Sequence, residues 1–279
     1  MSKRTAKIAQ QKDKALQRQI KRWRARIYRE LNKSILPAIE IAKNNPTEQG
    51  ARYAAQSIKT QEIYETLQKA NADVIETAAD YEFSYLGGQK SKRIEYLKKE
   101  DPIAFPASGY GEFTAEQILW LQQIQTWNSS VLADVMKSIN STSESIAYNT
   151  INKIILQAQA EGLSVFETSK LIETQVKKEW RRQSKFRADR IARTELHRAS
   201  QYGAQEGALA TGLDLNKQWL TFLDGRERPA HAEANGQTVD MRGFFNVGGE
   251  QMSVPGRGGS AANTVNCRCQ VVHVPKNVD

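Results

Sequence analysis

Cysteine is almost absent from this chain. There are two in 279 residues, both in the C-x-C of Cys267 and Cys269, so a disulfide framework is excluded. Long apolar runs are missing too, and none approaches the roughly 18 residues that a membrane span needs. The N-terminal MSKRTAKIAQQKDK has neither the apolar core nor the small-residue cleavage site of a secretory signal, so the chain is expected to begin in a cytoplasm. What is present, 39% apolar and 25% charged residues, is the composition of a folded soluble protein. The length suits one large or two modest domains with a real core.

The charge is unevenly placed. Residues 1–33 hold twelve Lys or Arg against Asp13 and Glu30, a net +10, and the remaining 28 basic and 29 acidic residues nearly cancel. Such a basic arm attracts a polyanion by releasing condensed counterions, and nucleic acid is the usual polyanion of a cytoplasm. Within the arm Leu16, Ile20, Trp23, Ile27, Leu31 and Ile35 recur at helical spacing, which predicts an amphipathic helix with one apolar stripe. Docking on this protein or a partner ranks first for the stripe, ahead of a membrane surface. For the charge, duplex DNA is the favoured partner, through Arg18, Lys21, Arg22, Arg24, Arg26 and Arg29. Pro37 interrupts the helix, and the Asn-Asn-Pro at 44–46 restarts it.

A second helix is predicted over Tyr53–Leu86, with Ile63, Leu67, Ala70, Val74, Ala78, Tyr81 and Tyr85 on its core face and Gly87 and Gly88 as its cap. Gln89–Glu112, with Pro102, Pro106, Gly109 and Gly111, reads as a linker. Three helices are predicted between Thr114 and Trp180, carried by Ile118, Leu119 and Leu121, by Val131, Leu132, Val135 and Ile139, and by Ile146, Ile151, Ile154 and Ile155, the third stopped by Gly162. Ser164 with Glu167 makes a capping box for the next. The basic KKEWRRQSKFRADR reads as a solvated helix face. A last helix over about Phe186–Gly212 has Ile191, Leu196, Ala199 and Ala204 inward and Arg193, Glu195, His197 and Arg198 as surface partners.

After Gly212 the pattern changes to β-prone runs broken by turns, with strands predicted at 217–223 and 269–274, a turn at Asp224-Gly225 and another at Asn235-Gly236. The predicted fold is therefore mainly α: an elongated helical body followed by a small α+β C-terminal unit with long Gly-rich loops. Its expected divisions are 1–45 (basic helical arm), 46–112 (helical segment and linker), 113–212 (helical body) and 213–279 (the β-containing unit).

That last unit carries the chemistry-capable residues. PGRGGS at 255–260 lacks the Gly-Lys-Ser/Thr and the following helix of a phosphate-cradling loop, and reads as a flexible loop. Asp224, Arg226, Arg228 and His231 hold an acid, a base and two anion-binding arginines, as a phosphodiesterase would. The preferred reading is a buried polar staple, with Asp224 accepting from Arg226 or Arg228 and His231 tying the loop to the returning strand. His231, Cys267 and Cys269 are candidate zinc ligands, but a structural site ordinarily takes four and only Asp224 or His273 offers the fourth. Two small buried thiols in a strand, with no metal, are preferred.

Taken together, the helix with IARTE, the Lys-x-Trp strand, Asp-x-Arg-x-Arg-x-x-His, Gly236, Phe244 and Phe245, a proline-glycine loop and Asn-Cys-Arg-Cys resemble the Mu F-like minor head proteins of tailed phages, also called phage head morphogenesis proteins. The resemblance covers about Leu163–Val272. Arg193, Thr194 and Glu195 match its helix motif; Trp219, Asp224, Arg226, Arg228 and His231 the central one; Asn266, Cys267, Arg268 and Cys269 the terminal one. The loop after Pro255 departs from it, with Arg257 where relatives commonly show an acid, and the N-terminal half has no matching motif. The resemblance implies a low-copy, non-enzymatic virion protein without cofactor. It would join the portal protein during head assembly in the host cytoplasm, beside the major capsid or scaffolding protein, and then lie inside the head at the portal vertex against packaged double-stranded DNA. The alternatives are a phosphodiesterase or toxin-like enzyme using the Asp224–His231 cluster, and a plain nucleic-acid-binding module. With the chain stopping at Asp279, no fused toxin domain is expected.

Overall fold

The structure, a computed structural model, describes residues 3–87 and 115–276. Four helices come first: α1 (Lys3–Ser34), α2 (Leu36–Asn44), α3 (Glu48–Gln56) and α4 (Gln61–Tyr85). From residue 115 onward come α5 (Ala115–Ala160), α6 (Val165–Leu171), a π-turn over Ile172–Val176 and α7 (Lys177–Leu209). The C-terminal region holds β1 (Leu215–Leu220), α8 (Pro229–Glu233), β2 (Thr238–Asp240), β3 (Phe245–Val247), β4 (Glu250–Met252), α9 (Ala261–Thr264) and β5 (Gln270–Pro275). The fold is mainly helical with a small α+β C-terminal region, as the periodicity predicts.

Two compact units divide the chain. One draws on residues 24–68 and 127–189, the other on residues 1–23, 69–126 and 190–279. In the first, Ile35, Ile39, Ala51, Ala54, Ile151, Ile155, Val176 and Trp180 pack into one core, and the Trp180 indole donates to Leu31 O at 2.6 Å. Thr47 caps α3 by accepting from Gly50 N at 3.0 Å. Gly50 is required there, because a Cβ would lie 1.9 Å from Asn45 O. The capping box predicted at Ser164 is present, with Glu167 Oε2 accepting from Ser164 N at 2.9 Å.

In the second unit β1 is the middle of a three-stranded antiparallel sheet ordered β2-β1-β5, and β3 and β4 form a separate hairpin. Trp219, Phe245, Val247, Met252, Cys267, Cys269 and Val271 make the core beside Ala204 of α7. α7 packs on α4 backbone to backbone: a Cβ at Gly203 or Gly207 would lie 2.3 Å from Ile75 O or 2.2 Å from Ala79 O, so only glycine fits. The start of α1 reaches the last strand. Lys12 Nζ donates to Val271 O at 3.2 Å and pairs with the fully buried Glu82, which also meets His273 Nδ1 at 2.7 Å. Burying a carboxylate costs several kcal/mol, and two partners from opposite ends of the sequence offset it.

Several sequence expectations need correction. The three helices predicted before Gly162 are one helix, α5. Nothing from 115 to 160 is glycine or proline, and its Asn/Ser-rich stretches interrupt the apolar stripe without breaking the backbone. The helix expected over Tyr53–Leu86 is two, α3 and α4, parted at 57–60, and Tyr53 is exposed. α4 buries Ile75, Ala79 and Glu82 rather than Tyr81 and Tyr85, and is followed by Gly87 with φ +92°. α7 begins at Lys177, nine residues before Phe186, and its basic segment buries Trp180. β2, β3 and β4 give no signal in the sequence, each being too short at three residues to display alternation. The linker expected over Gln89–Glu112, and Gly88, lie outside the described residues.

The apolar stripe of α1 docks on the chain itself: Leu16, Ile20, Trp23, Ile27, Leu31 and Ile35 are all buried. Arg18, Lys21, Arg22, Arg24, Arg26 and Arg29 are exposed. Arg22 meets Asp73 at 3.5 Å and Arg24 meets Asp189 at 3.1 Å.

Candidate functional site

β1 ends in Trp219 and Leu220, Thr221 follows, and the residues of the sequence motifs gather on that end. The Trp219 ring is fully buried between His231 and Phe245, edge-on to both, with centroids 5.7 and 5.3 Å away. Its indole donates to Thr221 Oγ1 at 3.0 Å, and Thr221 Oγ1 donates to His231 O at 2.6 Å. α8 is started by Pro229, whose fixed φ suits a first helical turn, and it carries His231 inward. There Nδ1 lies 3.2 Å from Cys269 Sγ and 3.8 Å from Cys267 Sγ.

The segment holding those cysteines is fixed by α7. Asn266, at φ +55°, lets the chain turn, and its N–H donates to Thr194 Oγ1 at 3.1 Å. His197 Nε2 meets Cys269 O at 2.7 Å. Gln201 accepts from Val271 N at 2.8 Å and donates to Gln270 Oε1 at 2.8 Å. Arg198 donates to Gly256 O at 2.9 Å and pairs with Glu195 at 3.0 Å. The loop read as flexible is thus a hydrogen-bonded turn, with Ser253 N donating to Arg257 O at 3.2 Å. Thr194, His197 and Gln201 occupy one helical face. Glu195 and His197, expected on the surface, are buried, because the Asn-Cys-Arg-Cys segment and the 253–258 turn cover the polar face of α7. Burial pushes the Glu195 carboxyl up and the His197 imidazole down from their ordinary pKa values. Arg193 is exposed.

At the outer edge Asp224 is clasped by Arg268, with Nη1–Oδ2 and Nη2–Oδ1 both 2.7 Å, and by Arg226, Nη2–Oδ2 2.6 Å. Arg268, then Arg226, holds the carboxyl well below the usual carboxylate range. Arg228, one of the two partners expected for Asp224, instead donates to Val265 O at 2.5 Å. The cluster is also not buried throughout: the Asp224 and Arg268 side chains are each about a third exposed, while His231 is 2% exposed. A small cleft between the two ends is lined by Thr221, Phe222, Arg226, Glu227, Arg228, His231, Asn266, Arg268 and Cys269.

The thiols precede β5 rather than lying in it, and both are buried and free. They share a hydrogen bond that favours charge on Cys269, whose pKa is lowered to about 4, with further help from His231 and Thr221. The Cys267 thiol is pushed up by the same hydrogen bond and by burial. Neither sequence candidate for a fourth metal ligand joins them, since Asp224 is held by arginines and His273 by Glu82. Thr221, His197 and Gln201 are the contributors that the motifs alone did not reveal. The four-residue spacing of His197 and Gln201 on a helix was the available signal.

The geometry can be set beside known proteins. A 134-residue stretch, 47% of the chain, is 32% identical to the NAD(+)--arginine ADP-ribosyltransferase EFV of Enterococcus faecalis, covering 26% of that protein. A 127-residue stretch, 44% of the chain, is 32% identical to minor head protein GP7 of Bacillus phage SPP1, covering 41% of it. The chain thus spans about a quarter and two fifths of these relatives. No solved structure matches it significantly. Residues 149–272, which include α7, α8 and the whole of the β1–Cys269 site, match the model of the Phage Mu protein F like protein family.

Proposed function

We propose that this chain is a minor head protein, a structural virion component that joins the portal during head assembly and lies against packaged DNA. The observation that carries the reading is the coincidence of the family segment with a packed polar unit. In it Trp219, His231, Thr194 and the 266–271 backbone use their hydrogen bonds on one another. The similarity to a phage minor head protein supports it. The exposed arginines and lysines of α1 supply the charge for non-specific duplex binding. Mass spectrometry of purified virions, with crosslinking before disruption, tests it: the chain should be found in heads, crosslinked to the portal. Virions that lack the protein, or crosslinks confined to other head proteins, would overturn the portal reading.

A second reading, a toxin-like enzyme, is favoured by the relative named as an arginine ADP-ribosyltransferase. Incubating the full chain with labelled NAD and an arginine-rich acceptor separates the two. The structural reading expects no label transfer above a heat-denatured control. For the phosphodiesterase form of this alternative, Asp224 has its charge already matched by two guanidinium groups, an arrangement that serves as an ion pair rather than as a proton acceptor.

A further inference from the structure

Among the described residues, His231, Cys267 and Cys269 bring one ligand atom each to within 4.8 Å of one another. They come from two separate stretches of chain, a short helix and the strand approach, and all three are at most 4% exposed. Tetrahedral zinc, with bonds of about 2.3 Å to sulfur and 2.0 Å to nitrogen, sets neighbouring donors roughly 3.5–3.8 Å apart. The two imidazole–sulfur distances, 3.2 and 3.8 Å, bracket that spacing. Both imidazole–sulfur separations therefore lie within a few tenths of an ångström of those an ion requires.

The surroundings point the same way. Nε2 of His231 has no hydrogen-bond partner, so the polar commitment of this buried ring is to the two sulfurs. Thiol–imidazole contacts are weak for a group taken fully out of water. A thiolate pair buried in an apolar core is costly unless a cation neutralises it. The backbone is held as a ligand loop requires, with Asn266 at φ +55° and Cys269 O fixed by His197. His231 and Cys269 also line the cleft, which leaves a fourth position to solvent.

We propose that His231, Cys267 and Cys269 bind one zinc ion through Nδ1 and two thiolates, with a water molecule in the fourth position, clamping α8 to the approach of β5. Two sulfurs and an imidazole are the donor set that selects zinc over the harder divalent cations. This weighs against the sequence-level preference for two bare thiols, which rested on the missing fourth protein ligand. It is independent of the minor-head reading.

The test is elemental analysis of the full-length protein, purified without chelator, together with X-ray absorption at the zinc edge. The expected result is about one zinc per chain, with two sulfur and two nitrogen or oxygen neighbours and zinc–sulfur distances near 2.3 Å. Zinc should be lost from Cys267→Ser, Cys269→Ser and His231→Ala. If those variants fail to fold, the absorption spectrum of the parent still decides. Cobalt added to apo-protein should give the intense visible bands of a tetrahedral thiolate site. A folded parent without zinc that takes up no cobalt, a sulfur-free coordination shell, or a Cys267–Cys269 disulfide in protein handled anaerobically would each overturn the proposal.

Discussion

Lys217 is the residue whose placement asks most of its surroundings. It is fully buried, donates to Ser253 O at 2.7 Å and lies 5.6 Å from the Phe245 ring centre. Burial lowers its pKa from 10.5 to about 8. Between those values the unfolded chain binds more protons than the folded one, so stability rises with pH across that window and is level below it. The shift corresponds to about 3 kcal/mol. The unfolding free energy of the parent should therefore climb between pH 8 and 10 relative to that of Lys217→Met; parallel curves would contradict it. Asp224 is the opposite case. Its folded pKa is depressed, so its contribution is present above the ordinary carboxylate range and is lost as pH falls through that range toward the folded value. Because the ion pair is exposed it is weak, and Asp224→Ala should melt close to the parent. Trp219→Ala should lose about 3–5 kcal/mol. Comparing the two melting curves checks both. The motif residues were legible in the sequence, and so was Arg226 as a partner of Asp224, but its second partner was not. Arg226 lies two positions away, whereas Arg268 lies 44 away, and no local spacing reports a contact that the sheet creates.

At the scale of elements, α1 does two things with two faces. Its stripe is part of the core, so deleting residues 1–33 would destroy the fold and say nothing about DNA. Charge reversal is the informative change. Arg18→Glu, Lys21→Glu and Arg29→Glu together should leave thermal unfolding within a few degrees of the parent. In a duplex titration by fluorescence anisotropy, they should weaken binding and flatten its dependence on salt, by about 0.9 in slope for each phosphate left unneutralised. Equal slopes would remove DNA from the range of partners. Helices announced themselves wherever a stripe ran unbroken, as in α1 and α4. α5 was divided because runs such as Ser141-Thr142-Ser143 look like boundaries in sequence, while in the structure Ser143 Oγ simply donates to Ile139 O at 2.6 Å. The polar face of α7 reads as solvated for a related reason: its cover arrives about seventy residues later.

Across the whole molecule, the two units differ in how much of the chain each requires. Residues 24–68 and 127–189 complete one, while the other waits for residues 190–279 and for the pairing of β5 with β1. Pairings so distant in sequence form late. Ribosome-bound chains with β5 still in the exit tunnel should show protease protection of the first unit and cleavage around Trp219; protection of both would rule this order out. Glu82 makes the delay chemical. Its imidazole partner, His273, and the carbonyl that steadies its lysine, Val271 O, both lie on the last strand. During most of synthesis that carboxylate therefore has only Lys12 to offset its burial. A copy without β5 keeps an acid where the folded molecule has core, and it stays open to proteolysis. The strand thus sets the condition for closing this unit, since Glu82 finds its imidazole only there.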